Sequence, residues 1–161
     1  MDKKPVNKVT FPDSVYESWN GVPSHEELIE SLGVEIYKKK IFGSYSGDLV
    51  MILKDTYSDN IEYKTRYGFL VLGFGSCCGC DALLACSSFK DLEELRDQYE
   101  SQIKWFDNDM KSDGLSKLKN WMINEHDWSG DYFGNEIGDC QDNKSFGEKL
   151  FNSLMEEEKD A

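Results

Sequence analysis

Leu49-Val50-Met51-Ile52-Leu53 is an unbroken apolar run between Asp48 and Lys54. It falls far short of the roughly 20 residues a membrane span needs. It lacks the alternation of a strand with one wet face, so it reads as a strand buried on both faces. Val34–Phe42 alternates in part, with Val34, Ile36 and Ile41 around Lys38-Lys39-Lys40, and Tyr63–Phe74 returns as a third strand. Gly43–Gly47 and Asp55–Asn60 carry turn chemistry between them. Connections this short favour an antiparallel meander.

Helical signals flank the meander. Ser24-His25-Glu26-Glu27 has the S-x-x-E form of a capping box, with Leu28, Ile29 and Leu32 behind it and Gly33 as a stop. Ser88 caps a second helix, whose stripe is Leu92, Leu95, Tyr99 and Ile103, and Trp105-Phe106 closes that helix onto the sheet. Ser112 to Asn124 reads as a third helix with Leu115, Leu118, Trp121 and Met122 on one face. A last helix starts near Ser145 and turns Phe146, Leu150, Phe151 and Leu154 inward. Its Glu156-Glu157-Glu158 end sits at the negative pole of the helix dipole and is expected to fray. The expected class is α+β: a small antiparallel sheet of three to four strands with helices packed on one side. Residues 1–22 hold Pro5 and Pro12 and read as an arm, in which Val9-Thr10-Phe11 can add an edge strand; residues 23–161 read as a single domain.

Charge narrows the function classes. The chain of 161 residues has a net charge of −13. Residues 1–87 hold nine Lys/Arg and twelve Asp/Glu, whereas residues 88–161 hold nine and nineteen, so the second half carries most of the negative field. That balance argues against direct binding to a nucleic-acid backbone or an anionic membrane, because both need cations. No apolar stretch follows Met1-Asp2-Lys3-Lys4-Pro5, so no signal peptide is read and the expected location is the cytoplasm.

Five cysteines, four of them within Cys77–Cys86, do not make a disulfide framework. Cys77 and Cys80 form C-x-x-C in a glycine-flanked turn. One reading is zinc, with Cys86, Cys140 and His126 as candidates for the further ligands, although the second close pair of a zinc ribbon is missing. Another is thiol redox chemistry, against which Asp81 would raise the neighbouring thiol pKa. A third is that Cys77, Cys78 and Cys86 are small packed residues in a tight turn. No cofactor is expected on the leading reading, with zinc as the alternative.

Gly73-x-Gly75-Ser76-Cys77-x-x-Cys80-Asp81-Ala82-Leu83, followed by an acidic helix, Ile103-Lys104-Trp105-Phe106-Asp107 and His126-Asp127-Trp128, resembles a family of small uncharacterised proteins of tailed bacteriophages and prophages. The resemblance spans roughly residues 45–135. It implies a phage or prophage setting in a bacterial host cytoplasm and transfers no activity. The chain departs from the pattern at Cys78, where serine is expected, which implies that position 78 is not a ligand.

The two histidines offer little catalysis. His25 falls in a first helical turn, where a cation is disfavoured, and is expected at the surface. His126, beside Asp127, reads as a partly buried ring packed by Trp128. No G-x-S-x-G nucleophile motif and no phosphate-binding glycine loop is present. Glu125 to Asp142 holds six carboxylates and no Lys or Arg, interleaved with Trp128, Tyr132 and Phe133. It is either a solvated acidic loop or a protein-binding surface with aromatic anchors. The function expected is binding, with Asp127, Trp128, Asp131, Tyr132, Glu136 and Asp139 as contacts, helped by the outward Glu93, Glu94 and Asp97. The expected partner is a host protein with a basic surface, one that handles nucleic acid, for which carboxylates mimic phosphates.

Overall fold

β2 (Gly47–Ser58) runs through the middle of a four-stranded antiparallel sheet of order β1-β2-β3-β4, with β1 at Glu35–Gly43, β3 at Tyr63–Phe74 and β4 at Lys104–Asp107. The computed structural model describes residues 24–43, 47–58, 61–75, 82–83, 86, 88–128 and 142–156. The helices are α1 (His25–Glu30), α2 (Phe89–Gln102), α3 (Gly114–Asn120, continued by one wide π turn, Trp121–Glu125) and α4 (Asn143–Met155). The class is α+β with an antiparallel sheet, as the meander pattern requires.

Alternation along β2 explains the layers. Leu49, Met51 and Leu53 point to one face and join Leu28, Ile29, Leu32, Leu92, Leu95 and Tyr99 of α1 and α2. Val50 and Ile52 point to the other and join Leu118, Met122, Trp128, Leu150, Phe151 and Leu154 of the α3–α4 side. The helices therefore cover both faces, which corrects the expectation that they gather on one side. The physical reason lies in the apolar run itself: a strand buried on two faces needs cover on each.

The ends of the helices follow local chemistry. Ser24 and Glu27 close the capping box on α1, with Glu27 N–H donating to Ser24 Oγ (3.1 Å) and Ser24 N–H to Glu27 Oε1 (2.9 Å). Gly33, at φ 83°, turns the chain from α1 into β1, a conformation costly for a residue with a Cβ. Ser88 Oγ accepts from Asp91 N–H (3.1 Å), Asp113 from Ser116 (2.7 Å) and Asp142 from Ser145 (2.8 Å). The stripe Leu92, Leu95, Tyr99 and Ile103 is buried throughout.

Three differences from the expected elements have physical causes. β2 continues through Asp55–Tyr57, read as turn, because Asp55 meets Arg66 across the pair: Nε to Oδ2 is 2.9 Å and each side chain is 2% exposed. The Arg66 guanidinium also lies 4.1 Å from the Trp105 ring centroid and 5.2 Å from that of Tyr57. The fourth strand is Lys104–Asp107, paired to Arg66–Phe69; Val9-Thr10-Phe11 lies outside the described residues, as does all of 1–22. His25 is buried, not superficial, because its ring reaches Tyr99 on α2, with Nδ1 3.4 Å from the Tyr99 hydroxyl.

Candidate functional site

The layer formed by α1 and α2 carries the densest described negative charge. Apolar contacts hold the two helices on the sheet, and polar ties join them: Arg96 Nη1 donates to Ser31 Oγ (3.2 Å), and that hydroxyl donates to Leu28 O (2.6 Å). What remains outward is acidic. Glu27, Glu30, Glu93, Glu94 and Asp97 are exposed, and Glu26, Asp91 and Glu100 are half-buried. Against these eight carboxylates the two helices hold only Lys90 and Arg96, and Arg96 is buried. Glu94 lies 3.9 Å from Lys90 across one exposed turn. Glu26 pairs with Lys39 of β1 at 3.1 Å. Partial burial alone would raise the Glu26 pKa; its own backbone amide and Lys39 outweigh that and hold the carboxyl below its ordinary value. Glu93, Glu94 and Asp97 thus stand outward as the helical period indicated. Glu27 and Glu30 were missed as members of this surface because only the tertiary pairing of α1 with α2 brings them beside it.

The opposite layer has a different character. Within Gly114–Glu125 and Asn143–Met155 there are four lysines and two glutamates. Its tightest point is the π turn. His126 N–H donates to Trp121 O (3.0 Å), five residues back, and Met122 O accepts instead from Trp128 Nε1 (2.8 Å). Gly147 of α4 presses on the same carbonyl: a Cβ there would lie 1.9 Å from Met122 O. Asn143 completes the clasp, its Oδ1 accepting from Trp128 N–H (2.8 Å) and its Nδ2 donating to His126 O. Trp128 is 3% exposed. It is therefore core, and its assignment as a contact anchor is corrected: the indole spends its one donor inside the fold. His126 is half-buried, its ring 4.6 Å from Trp121 and 4.4 Å from Trp128, the packed histidine expected beside Trp128.

Asp127 is exposed on this layer. It is separated by the sheet from Glu93, Glu94 and Asp97, so the expected contacts do not form one surface among the described residues. Asp131, Tyr132, Glu136 and Asp139 lie outside those residues, as do Cys77, Cys80 and Cys140. His126 and Cys86 are thus the described residues among the candidates for the alternative zinc site. Among the described residues no group of three or more His, Cys, Asp or Glu side chains is arranged to hold a metal. Cys86 is half-buried, its Sγ 3.6 Å from Ala82 O.

A third region was not anticipated from the sequence. Beyond α3 and α4, the same sheet face carries Tyr37, Tyr67 and Phe106 on β1, β3 and β4, each half-buried. Tyr37 and Tyr67 meet edge to face at 5.5 Å. A lysine stands at each ring: Lys38 Nζ is 5.6 Å from the Tyr37 centroid, Lys54 6.0 Å from Tyr67 and Lys104 5.7 Å from Phe106. Phe106 also lines an open groove of about 480 Å³ with Ser112, Ser116, Lys117, Asn120 and Glu125. At its rim Lys117 Nζ donates to Asp109 Oδ2 (2.5 Å) and to Asp107 O (2.8 Å). The cross-strand neighbours Lys54, Tyr67 and Phe106 were legible only once strand pairing was known.

No helix among the described residues is long and apolar enough to cross a membrane. No protein-family model, curated protein or solved structure matches this chain.

Proposed function

We propose that this is an acidic accessory protein of the phage type that acts by binding a host protein rather than by catalysis. Its α1–α2 layer presents Glu27, Glu30, Glu93, Glu94 and Asp97 to a basic groove that ordinarily holds nucleic acid, carboxylates standing where phosphates lie. The observation that supports this most is the charge of that layer, eight carboxylates against one exposed and one buried cation. Such a field speeds encounter with a cationic surface and is screened by salt. A host nuclease or another defence protein is the kind of partner it suits.

The test is capture from bacterial lysate at low and high salt with wild type and two charge-reversed variants. One is E93K/E94K/D97K and the other D127K/D131K/E136K. Salt-sensitive capture lost only in the first variant supports the helical layer. Loss only in the second moves the contact to the acidic segment that begins at Asp127. Capture unchanged in both removes the acidic surfaces from consideration.

A further inference from the structure

We infer that the aromatic and lysine-bearing part of the sheet face is a binding site for a short single strand of nucleic acid. The site goes beyond the acidic surface and lies on the other side of the sheet from it. Tyr37, Tyr67 and Phe106 reach from β1 to β4, three strand spacings or about 14 Å. That breadth suits two or three unstacked bases laid across an antiparallel sheet. Half-buried rings are held in place by the core beneath yet keep part of their surface open, which is the condition for base stacking at low entropic cost. Lys38, Lys54 and Lys104 stand beside those rings at 5.6 to 6.0 Å. Each ring thus has an ammonium within reach of a phosphate that flanks a stacked base. The groove at Phe106 extends the track and brings Ser112, Ser116 and Lys117 to its end.

The net charge of −13 does not exclude this, because it is unevenly distributed. Most carboxylates of the acidic helices lie behind the sheet; those that meet the track are Glu35 on the face, Glu26 and Glu30 of α1, which share a pocket with Tyr37 and Lys38 at the β1 end, and Glu125 and the Lys117-paired Asp109 at the groove. Duplex DNA keeps its bases stacked and out of reach of flat rings. An acidic polypeptide satisfies the lysines but gives the rings nothing to stack on. The single strand alone uses both.

The experiment is fluorescence anisotropy of labelled twelve-nucleotide oligo-dT and oligo-rU, with a duplex of equal length and unlabelled poly-glutamate as competitors. Saturable single-strand binding is expected with Kd of about 10 µM at low salt, in the range of sequence-independent contacts. The slope of log K against log salt should be about −2, since three lysines each contribute roughly 0.7 on a single strand. Tyr67→Ala should weaken binding about tenfold. K54Q/K104Q should flatten the salt slope, with thermal melts confirming that both variants fold. If a variant fails to melt cooperatively, K38Q/K104Q and quenching of Trp121 fluorescence, 5.9 Å from Lys104, take its place. Absence of saturable binding, equal affinity for duplex, or binding indifferent to these substitutions overturns the inference. Poly-glutamate binding in place of the oligonucleotides also overturns it and assigns the face to acidic polypeptides.

Discussion

Asp55 and Arg66 show how one residue pair decides where a strand ends. Asp55 would break a strand if left unpaired, but Arg66 faces it at 2.9 Å in a place where each is 2% exposed. Removing one member leaves a buried charge without its counter-ion. Asp55→Asn should therefore cost about 3–5 kcal/mol in urea denaturation, whereas Asp55→Leu with Arg66→Met should come within about 1–2 kcal/mol of wild type. A single variant as stable as wild type would contradict the role given to the pair. Tyr57, whose hydroxyl donates to Asp107 at 3.3 Å, belongs to the same cluster; burial first, and then the Asp107 charge, push its phenol pKa up. Gly147 is the other residue on which packing turns. A Cβ would meet the Met122 carbonyl that already accepts from the Trp128 indole, so Gly147→Ala should destabilise by about 1–3 kcal/mol and loosen the π turn. Loss of the near-ultraviolet tryptophan signal in that variant would report the loosening, and an unchanged spectrum with unchanged stability would deny it.

At the scale of elements, the loop between β4 and α3 is held by a single carboxylate. Asp109 accepts from Lys117 and from the amides of Ser112 and Lys111, and those partners keep its pKa well below the carboxylate range. A carboxyl depressed in the fold contributes stability that is complete above the unfolded-state pKa of about 3.9 and is lost as pH falls through the folded value. Stability should thus be insensitive to this group from about pH 7 to pH 5 and decline with acid below about pH 4. Asp109→Asn should remove part of that acid limb, and an identical limb in the variant would exclude Asp109 as its source. Helix caps behave more simply: Ser88→Ala should cost about 1 kcal/mol through the lost bond to Asp91 N–H. Caps and periods are the elements that a sequence exposes most openly, since their signals lie within four residues of one another. Ser24, Ser88 and the stripe Leu92–Ile103 were readable for that reason. β4 was not, because Lys104-Trp105-Phe106-Asp107 becomes a strand only through its pairing with Arg66–Phe69. The same dependence hid the ring-and-lysine track, whose members come from all four strands and are aligned only by the fold. Trp128 misled for the converse reason: a tryptophan among carboxylates looks like a contact until its donor is found bound to Met122 O.

At the scale of the molecule, charge among the described residues is sorted by layer. The helices behind the sheet are acidic, the helices in front carry twice as many lysines as glutamates, and the sheet lies between. The run Leu49–Leu53 already implied two covered faces, although helices on one side were expected. Because Glu93, Glu94 and Asp97 are exposed, their reversal to lysine should change unfolding free energy by no more than about 0.5 kcal/mol per site, or about 1.5 kcal/mol for all three. Urea titration checks this, and a larger loss would mean that the layer owes its charge to stability rather than recognition.

The register slip in β1 between Ile36 and Lys38 has one more consequence. β1 is the outermost described strand on its side, and it carries three consecutive lysines just past the slip. A kinked margin studded with ammonium groups is a poor template for a further copy to zip onto. Replacing Lys38–Lys40 with threonines should turn a well-behaved solution into one that forms fibrils on standing, a fate the native margin guards against.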